Sequence, residues 1–285
     1  MRVGVIDVGS NTTRLLVASA GNGGVVPVDK GKVRLSLGEE IERYGSVSDV
    51  HVAAVAKAVR KLAETARRHR VESLDVFLTA PGRQAENADE LVAALSRAAG
   101  VGARVLSKEE EGTLAYRGAV VTCDVPLPER IAVCDVGGAS TEVAVGTPED
   151  GPDWIESVDL GSVRLTTRVA DEREMRAEAA EAFAHLEPPE VEAALAVGGS
   201  ARAARRLVGA QLGEEELAEA LRIVATKQPR QIVRRYGVDR ARVDILAGGL
   251  VLLAEVQRRL GVPLHVCDGG IREGAVLASV EALAA

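Results

Sequence analysis

Aromatic side chains are almost missing: Trp, Tyr and Phe together make up 2% of the 285 residues. The core must therefore be built from Ala, Val and Leu. Cysteine is scarce as well. Cys123, Cys134 and Cys267 are odd in number, far apart and without C-x-x-C spacing, which argues against a disulfide scaffold or a zinc site and for a reducing cytoplasm. His51, His69, His185 and His265 show no metal-ligand spacing, so a metal cage made of protein groups alone is not expected. No apolar stretch approaches the roughly 20 residues of a membrane span. The N-terminus enters a strand pattern without a charged-then-apolar leader, so neither membrane insertion nor secretion is expected. Neither G-x-x-x-x-G-K-[ST] nor G-x-S-x-G occurs, which sets aside Walker NTPases and α/β-hydrolases. Basic excess is also lacking. A net charge of −7 disfavours broad nucleic-acid binding, and any highly anionic substrate would need a local basic patch.

What is present is a duplication. Val3-Gly4-Val5-Ile6-Asp7-Val8-Gly9-Ser10-Asn11-Thr12-Thr13 is echoed 128 residues later by Ile131-Ala132-Val133-Cys134-Asp135-Val136-Gly137-Gly138-Ala139-Ser140-Thr141. Each copy is an apolar run, Asp-Val-Gly, a short polar turn and a second apolar run, the pattern of a β-hairpin. Glycine in such a turn lets successive backbone N–H groups converge on one point, an anion-binding nest. The aspartate ending each first strand, Asp7 or Asp135, adds a hard oxygen suited to Mg²⁺. Two such loops facing each other would grip a phosphate from both sides.

The rest of the chain alternates strand and helix signals. Residues 25–37 alternate loosely, as a further strand pair would. Residues 48–70 form a helix, with Val52, Val55, Val59, Leu62 and Ala66 at three- and four-residue steps. A strand at 74–79, a turn at Pro81-Gly82, a helix at 86–99 ending on Gly100 and a strand at 103–106 follow, then a helix opened by Ser107. Two prolines in 122–130 mark a domain boundary, dividing the chain into 1–125 and 126–285. The second half carries its hairpin at 131–146, a strand near 155–158 and helices to Leu186. A strand at 194–197 runs into Gly198-Gly199-Ser200, and a late strand at 264–267 leads to a terminal helix. Such alternation over two similar halves implies α/β layers with the ligand site in the cleft between them.

Three further features admit two readings. In Ser107-Lys108-Glu109-Glu110-Glu111, Ser107 and Glu110 form a capping box and first-turn acids favour the helix dipole; equally, crowded carboxylates raise one another's pKa and poise one as a general base. Arg83 suits phosphate recognition but is commonplace by itself. Gly198 and Gly199 before a helix bearing Arg202, Arg205 and Arg206 would set a helix N-terminus against an anion, or serve only strand-to-helix packing.

Taken in order, these motifs resemble the exopolyphosphatase / guanosine-pentaphosphate phosphohydrolase family, within the group that includes actin, Hsp70 and the sugar kinases. The resemblance also draws on Arg83-Gln84-Ala85-Glu86-Asn87, Leu160-Gly161-Ser162-Val163-Arg164-Leu165-Thr166, Val197-Gly198-Gly199-Ser200 and Arg272-Glu273-Gly274, and so covers nearly the whole chain. It implies an α/β fold of two ribonuclease-H-like domains with an interdomain cleft, the terminal helix packing back on the first. It places the general base on Glu111, a metal-coordinating aspartate on Asp135 and an active-site glutamate on Glu142. It puts a phosphate-holding arginine on Arg83, and the two phosphate loops on Gly9, Ser10, Asn11 and Thr12 and on Gly137, Gly138, Ala139 and Ser140. The implied reaction is Mg²⁺-assisted hydrolysis of the terminal phosphoanhydride of inorganic polyphosphate, or of guanosine pentaphosphate. A homodimer is an arrangement the resemblance suggests, with a basic groove from Arg230, Arg234, Arg235, Arg258 and Arg259. The sequence departs from the family pattern at Ala139, at Gly112-Thr113 and at Ala80-Pro81-Gly82, which motivates an alternative as a non-catalytic polyphosphate or alarmone sensor. A sugar or acetate kinase is a third alternative, without a visible acceptor signature.

Overall fold

The computed structural model describes residues 1–21 and 24–284. Its first sheet begins with an antiparallel meander, β1 (Arg2–Val8), β2 (Thr12–Gly21) and β3 (Gly24–Arg34). To this β4 (Ser73–Leu78) and β5 (Ala103–Val105) add in parallel, in the order β3-β2-β1-β4-β5. Around it run α1 (Leu37–Tyr44), α2 (Asp49–Arg68), α3 (Ala80–Gln84), α4 (Ala88–Ala99) and α5 (Lys108–Thr122). The second sheet repeats the scheme with β6 (Ile131–Val136), β7 (Thr141–Thr147), β8 (Gly151–Val158), β9 (Ala193–Val197), β10 (Gln211–Leu212) and β11 (Leu264–Val266), ordered β10-β11-β9-β6-β7-β8. Its helices are α6 (Ser162–Arg168), α7 (Glu172–Ala182), α8 (Gly198–Val208), α9 (Glu214–Thr226), α10 (Pro229–Tyr236), α11 (Arg240–Val243), α12 (Leu246–Leu260) and α13 (Ile271–Ala284). The two sheets share one strand order, as the pair of ribonuclease-H-like domains implied by the resemblance would.

Helix α2 begins where the sequence placed it: Ser48 caps it by accepting from the His51 N–H, and Val55, Val59, Leu62 and Ala66 are buried. Three expectations need correction. Residues 25–37 are not a strand pair but one long edge strand, β3, followed by the start of α1; Pro27 is tolerated at an edge because it has no N–H to give. Pro81-Gly82 lies inside the short helix α3, where proline in the first turn costs no helical bond. The strand near 155–158 starts earlier, at Gly151.

Two helices are traded between the halves. Leu114 of α5 joins Val3, Val5, Leu16, Phe77 and Ile271 in one core. Ala115, Tyr116 and Ala119 of the same helix bury themselves with Ile131, Val133 and Leu195 of the second sheet. Conversely α13 lays Ile271, Ala275 and Val276 on the first sheet. The two helices meet almost backbone to backbone: a Cβ at Gly118 would overlap the Gly270 carbonyl, and one at Gly274 the Leu114 carbonyl. Ion pairs also span the halves, from Glu42 to Arg164 (2.6 Å) and Arg168 (2.6 Å), from Lys108 to Asp159 (2.8 Å) and from Lys32 to Asp239 (2.7 Å). Among the described residues no helix is long and apolar enough to cross a membrane.

Candidate active site

The duplicated turns are built alike. In the first, the Gly9 N–H donates to the Thr12 carbonyl (3.1 Å); in the second, Gly137 donates to Ser140 (3.0 Å). Their carbonyls are held from behind. Leu35, Ser36 and Gly38 donate to Asn11 and Ser10, while Ser162, Val163 and Arg164 donate to Gly137 and Gly138. The N–H groups of Ser10, Asn11, Gly138 and Ala139 donate to no other group among the described residues. The turns face each other closely enough that a Cβ on Gly138 would lie 2.9 Å from the Ser10 Cβ.

One cleft collects most of the residues singled out from sequence. Asp7, Gly9, Ser10, Asn11, Thr12, Glu111, Asp135, Gly137, Gly138, Ala139, Ser140, Gly198 and Gly199 all line it. Gly198 adopts φ +87° at the start of α8, and a side chain there would collide with the Asp135 carboxylate. Arg83 and Glu142 sit directly behind Glu111. Arg83 donates from Nη1 to Glu111 Oε2 (2.7 Å) and to the Leu106 carbonyl (2.9 Å), and its Nη2 lies 3.9 Å from Glu142 Oε1. Its Nε and Nη2 are buried without a hydrogen-bond partner, a guanidinium with donors to spare for an anion. The structure also separates the acidic triplet. Glu110 closes the capping box with Ser107 (2.8 Å to its N–H), Glu109 points to solvent, and Glu111 is buried.

Sequence reasoning missed two cations of this cleft, Arg14 and Arg242, and gave no cleft position to Arg272, noted only within a motif. Arg14 reads as an ordinary outward residue of β2, and Arg242 belongs to a four-residue helix with no motif around it. With Arg202 they form the basic patch that the acidic chain needed. Arg258 and Arg259 are instead paired with Glu255 (2.6 and 2.9 Å), leaving Arg230, Arg234 and Arg235 on α10 to line a separate surface.

The acids in the cleft are electrostatically crowded. Burial, then the Glu142 charge, push Glu111 well above the ordinary glutamate range against the pull of Arg83. Glu142 is pushed up to about 7 by burial and Asp135, although Ser157 donates to it at 2.9 Å. Burial raises Asp7 to about 6, opposed by Arg272 and Arg14, and raises Asp135 as well. Glu111 and Glu142 are buried, and Asp7 and Asp135 are half-buried with their carboxylates on the cleft. No group of three or more His, Cys, Asp or Glu forms a ready cage among the described residues. Two aspartates beside two turns of free N–H groups would suit Mg²⁺, which takes one or two carboxylates and completes its shell with other oxygens and water.

Comparison with known proteins gives the family and the fold. A model of the Ppx/GppA phosphatase family matches residues 16–283. Exopolyphosphatase 1 of Mycobacterium tuberculosis is 30% identical over 307 residues, covering 99% of this chain and 89% of that protein. The crystal structure of a Ppx/GppA family member from Aquifex aeolicus superposes with a TM-score of 0.82 at 21% identity, covering 98% of this chain and 97% of that one. An exopolyphosphatase structure from Cytophaga hutchinsonii gives 0.85 at 18% identity, covering 99% and 98%. At those identities the two structures speak to the fold.

Proposed function

Because the chain belongs to the Ppx/GppA phosphatase family, and is thereby a phosphoanhydride hydrolase of exopolyphosphatase type, we propose that it removes terminal phosphate from inorganic polyphosphate with Mg²⁺, Glu111 activating the water. The observation that carries this reading is one cleft with two opposed turns of free N–H groups and, at its end, a buried carboxylate held by an arginine with unused donors. The turns bind the phosphates and offset charge that grows on their oxygens in the transition state. Arg83, behind Glu111, keeps that carboxylate aimed. Glu111 orients a water in line with the terminal phosphorus and takes its proton. Asp135, with Asp7 nearby, would hold Mg²⁺, which would supply charge neutralisation on the phosphate oxygens.

The test is phosphate release from short polyphosphate, long polyphosphate and guanosine pentaphosphate, each with and without Mg²⁺. Metal-dependent release from polyphosphate that Asp135→Asn abolishes is expected. A ranking led by guanosine pentaphosphate would shift the substrate assignment, and tight binding without any release would favour a sensor.

The pH dependence should report the base. Glu111 acts ionised, so activity is lost as the pH falls through its raised pKa, at higher pH than an ordinary glutamate would allow. Glu142→Gln removes a like charge and should move that acidic limb of kcat/KM downward. Arg83→Gln removes an attraction and should move it upward. Limbs that stay put in both variants would detach Glu111 from the limb.

A further inference from the structure

We propose that Cys123 and Cys267 form a modification site: a hydroperoxide joins them in a reversible disulfide that clamps the two connections between the halves. This bond does not depend on the hydrolase reading.

Remote in sequence, the two cysteines meet in the fold. Cys123 ends α5 as its C-cap residue in extended backbone, its N–H on the Val120 carbonyl (3.3 Å). Cys267 follows β11, its N–H on the Ala196 carbonyl (3.0 Å). Their neighbours pair on both sides. The Gly269 N–H donates to Thr122 Oγ1 (3.0 Å), and His265 Nε2 meets Asp124 Oδ1 at 3.0 Å. These contacts keep two fixed backbones within side-chain reach of each other, the spacing that a disulfide needs. Both cysteines pack into one small core with Ile131, Leu195 and Val197, and their thiols are in hydrogen-bonding contact. No group of three or more metal-ligating side chains forms among the described residues, so the pair is not part of a metal cage.

Unequal burial sets the order of events. Cys267 is 2% exposed, and burial, then the Cys123 thiol beside it, push its pKa up, so it ionises reluctantly. Cys123 is half-buried and meets an oxidant first. Its sulfur attacks the O–O bond of hydrogen peroxide, giving a sulfenic acid and one water. The Cys267 sulfur then attacks the sulfenic sulfur. Its proton leaves with the displaced hydroxyl as a second water, and the S–S bond closes. The thiols give up two electrons, which reduce the peroxide, and an added dithiol reverses the bond by exchange.

The position of the pair gives the bond its effect. The chain leaves the first half at the end of α5, through residues 123–130, and returns through 267–270 to α13. These passages already touch, Gly269 against Thr122 and Gly270 against Gly118. A disulfide makes that contact covalent. Just beyond Cys267, Gly270, Ile271, Arg272 and Glu273 line the cleft, so a tightened hinge stiffens one wall of the site. The third cysteine, Cys134, is buried inside β6 and serves as a control within the same chain.

The experiment oxidises the full chain with hydrogen peroxide, removes the reagent and reads the product by intact mass and peptide mapping, beside Cys123→Ser and Cys267→Ala. The wild type should lose two hydrogens in a Cys123–Cys267 link within one chain, with Cys134 still a free thiol, and dithiothreitol should reverse it. Neither variant should form an internal link. The oxidised chain should melt about 5 °C or more above the reduced one, because the bond closes a long loop. Amide exchange across 118–123 and 267–274 should slow by about tenfold. The kcat for phosphate release should fall by about threefold or more and recover with dithiothreitol, as a stiffer hinge would bring. Thiols that stay free or pass on to sulfinic acid, a link between two chains, or a link that leaves melting, exchange and kcat unaltered would each overturn the proposal. Mass, melting and exchange need no substrate. A wild type that releases no phosphate therefore fails the hydrolase reading alone, and those three readings still decide the clamp.

Discussion

Glu111→Gln is expected to lower kcat for phosphate release by about a thousandfold, the loss that removing a general base commonly brings, with KM changed by less than about threefold. The amide keeps the length and shape of the carboxylate and can still accept from Arg83, so the cleft should survive. What disappears is the proton acceptor. Stability should hold or rise, because the substitution removes a charge that is 8% exposed and repelled by Glu142. A melting temperature equal to or above the wild type, beside a nearly dead enzyme, would be the expected pairing. A fall in kcat of less than about tenfold would assign the base to another group. Glu109→Gln is the internal comparison. That acid lies in the same helical turn but faces solvent, so its loss should leave kcat within about twofold of the wild type.

Gly118→Ala should have the largest effect on stability of any single added methyl group described here. On an isolated helix the change would be favourable by about 1 kcal/mol. At this crossing the new Cβ runs into the Gly270 carbonyl and the Gly274 N–H, which are backbone atoms and cannot swing aside as a side chain would. Separating α5 from α13 would loosen cores on both sheets, so a net loss of about 3 kcal/mol or more is expected. For a chain of this size that is a fall in Tm of roughly 6–10 °C by calorimetry. A Tm within about 2 °C of the wild type would mean the crossing can widen without cost. Gly102→Ala, where nothing lies within 4 Å of the added carbon, serves as the contrast.

The two turns were legible because each feature that defines them is local: an apolar run, an aspartate, glycines, and a second apolar run, repeated at one spacing. The cap at Ser107 was legible for the same reason, a side-chain oxygen three residues from its donor. Helix α1 was missed because it opens without a capping side chain, on Ser36 at φ 51°, and carries Gly38 in its first turn. The Gly38 position is instead needed where the chain passes against Ser10. Arg14 and Arg242 lie 228 residues apart and share the cleft only once two sheets have folded and met. No window of sequence contains that fact. The acidic triplet lies between these cases. Local chemistry explained Glu110, but separating Glu109 from Glu111 required knowing which side of α5 turns inward.

The exchange of α5 and α13 ties the order of synthesis to the order of folding. The first sheet is translated by residue 105, yet Val3, Val5, Leu16 and Phe77 wait for Ile271, Ala275 and Val276 to cover them. At ribosomal speeds that delay is roughly ten to thirty seconds, during which one apolar face of a finished sheet has only Leu106 and Leu114 to cover it. A nascent chain in that state is a natural client for a chaperone that shields hydrophobic surface, and slowing translation after residue 105 should lengthen its dependence on one.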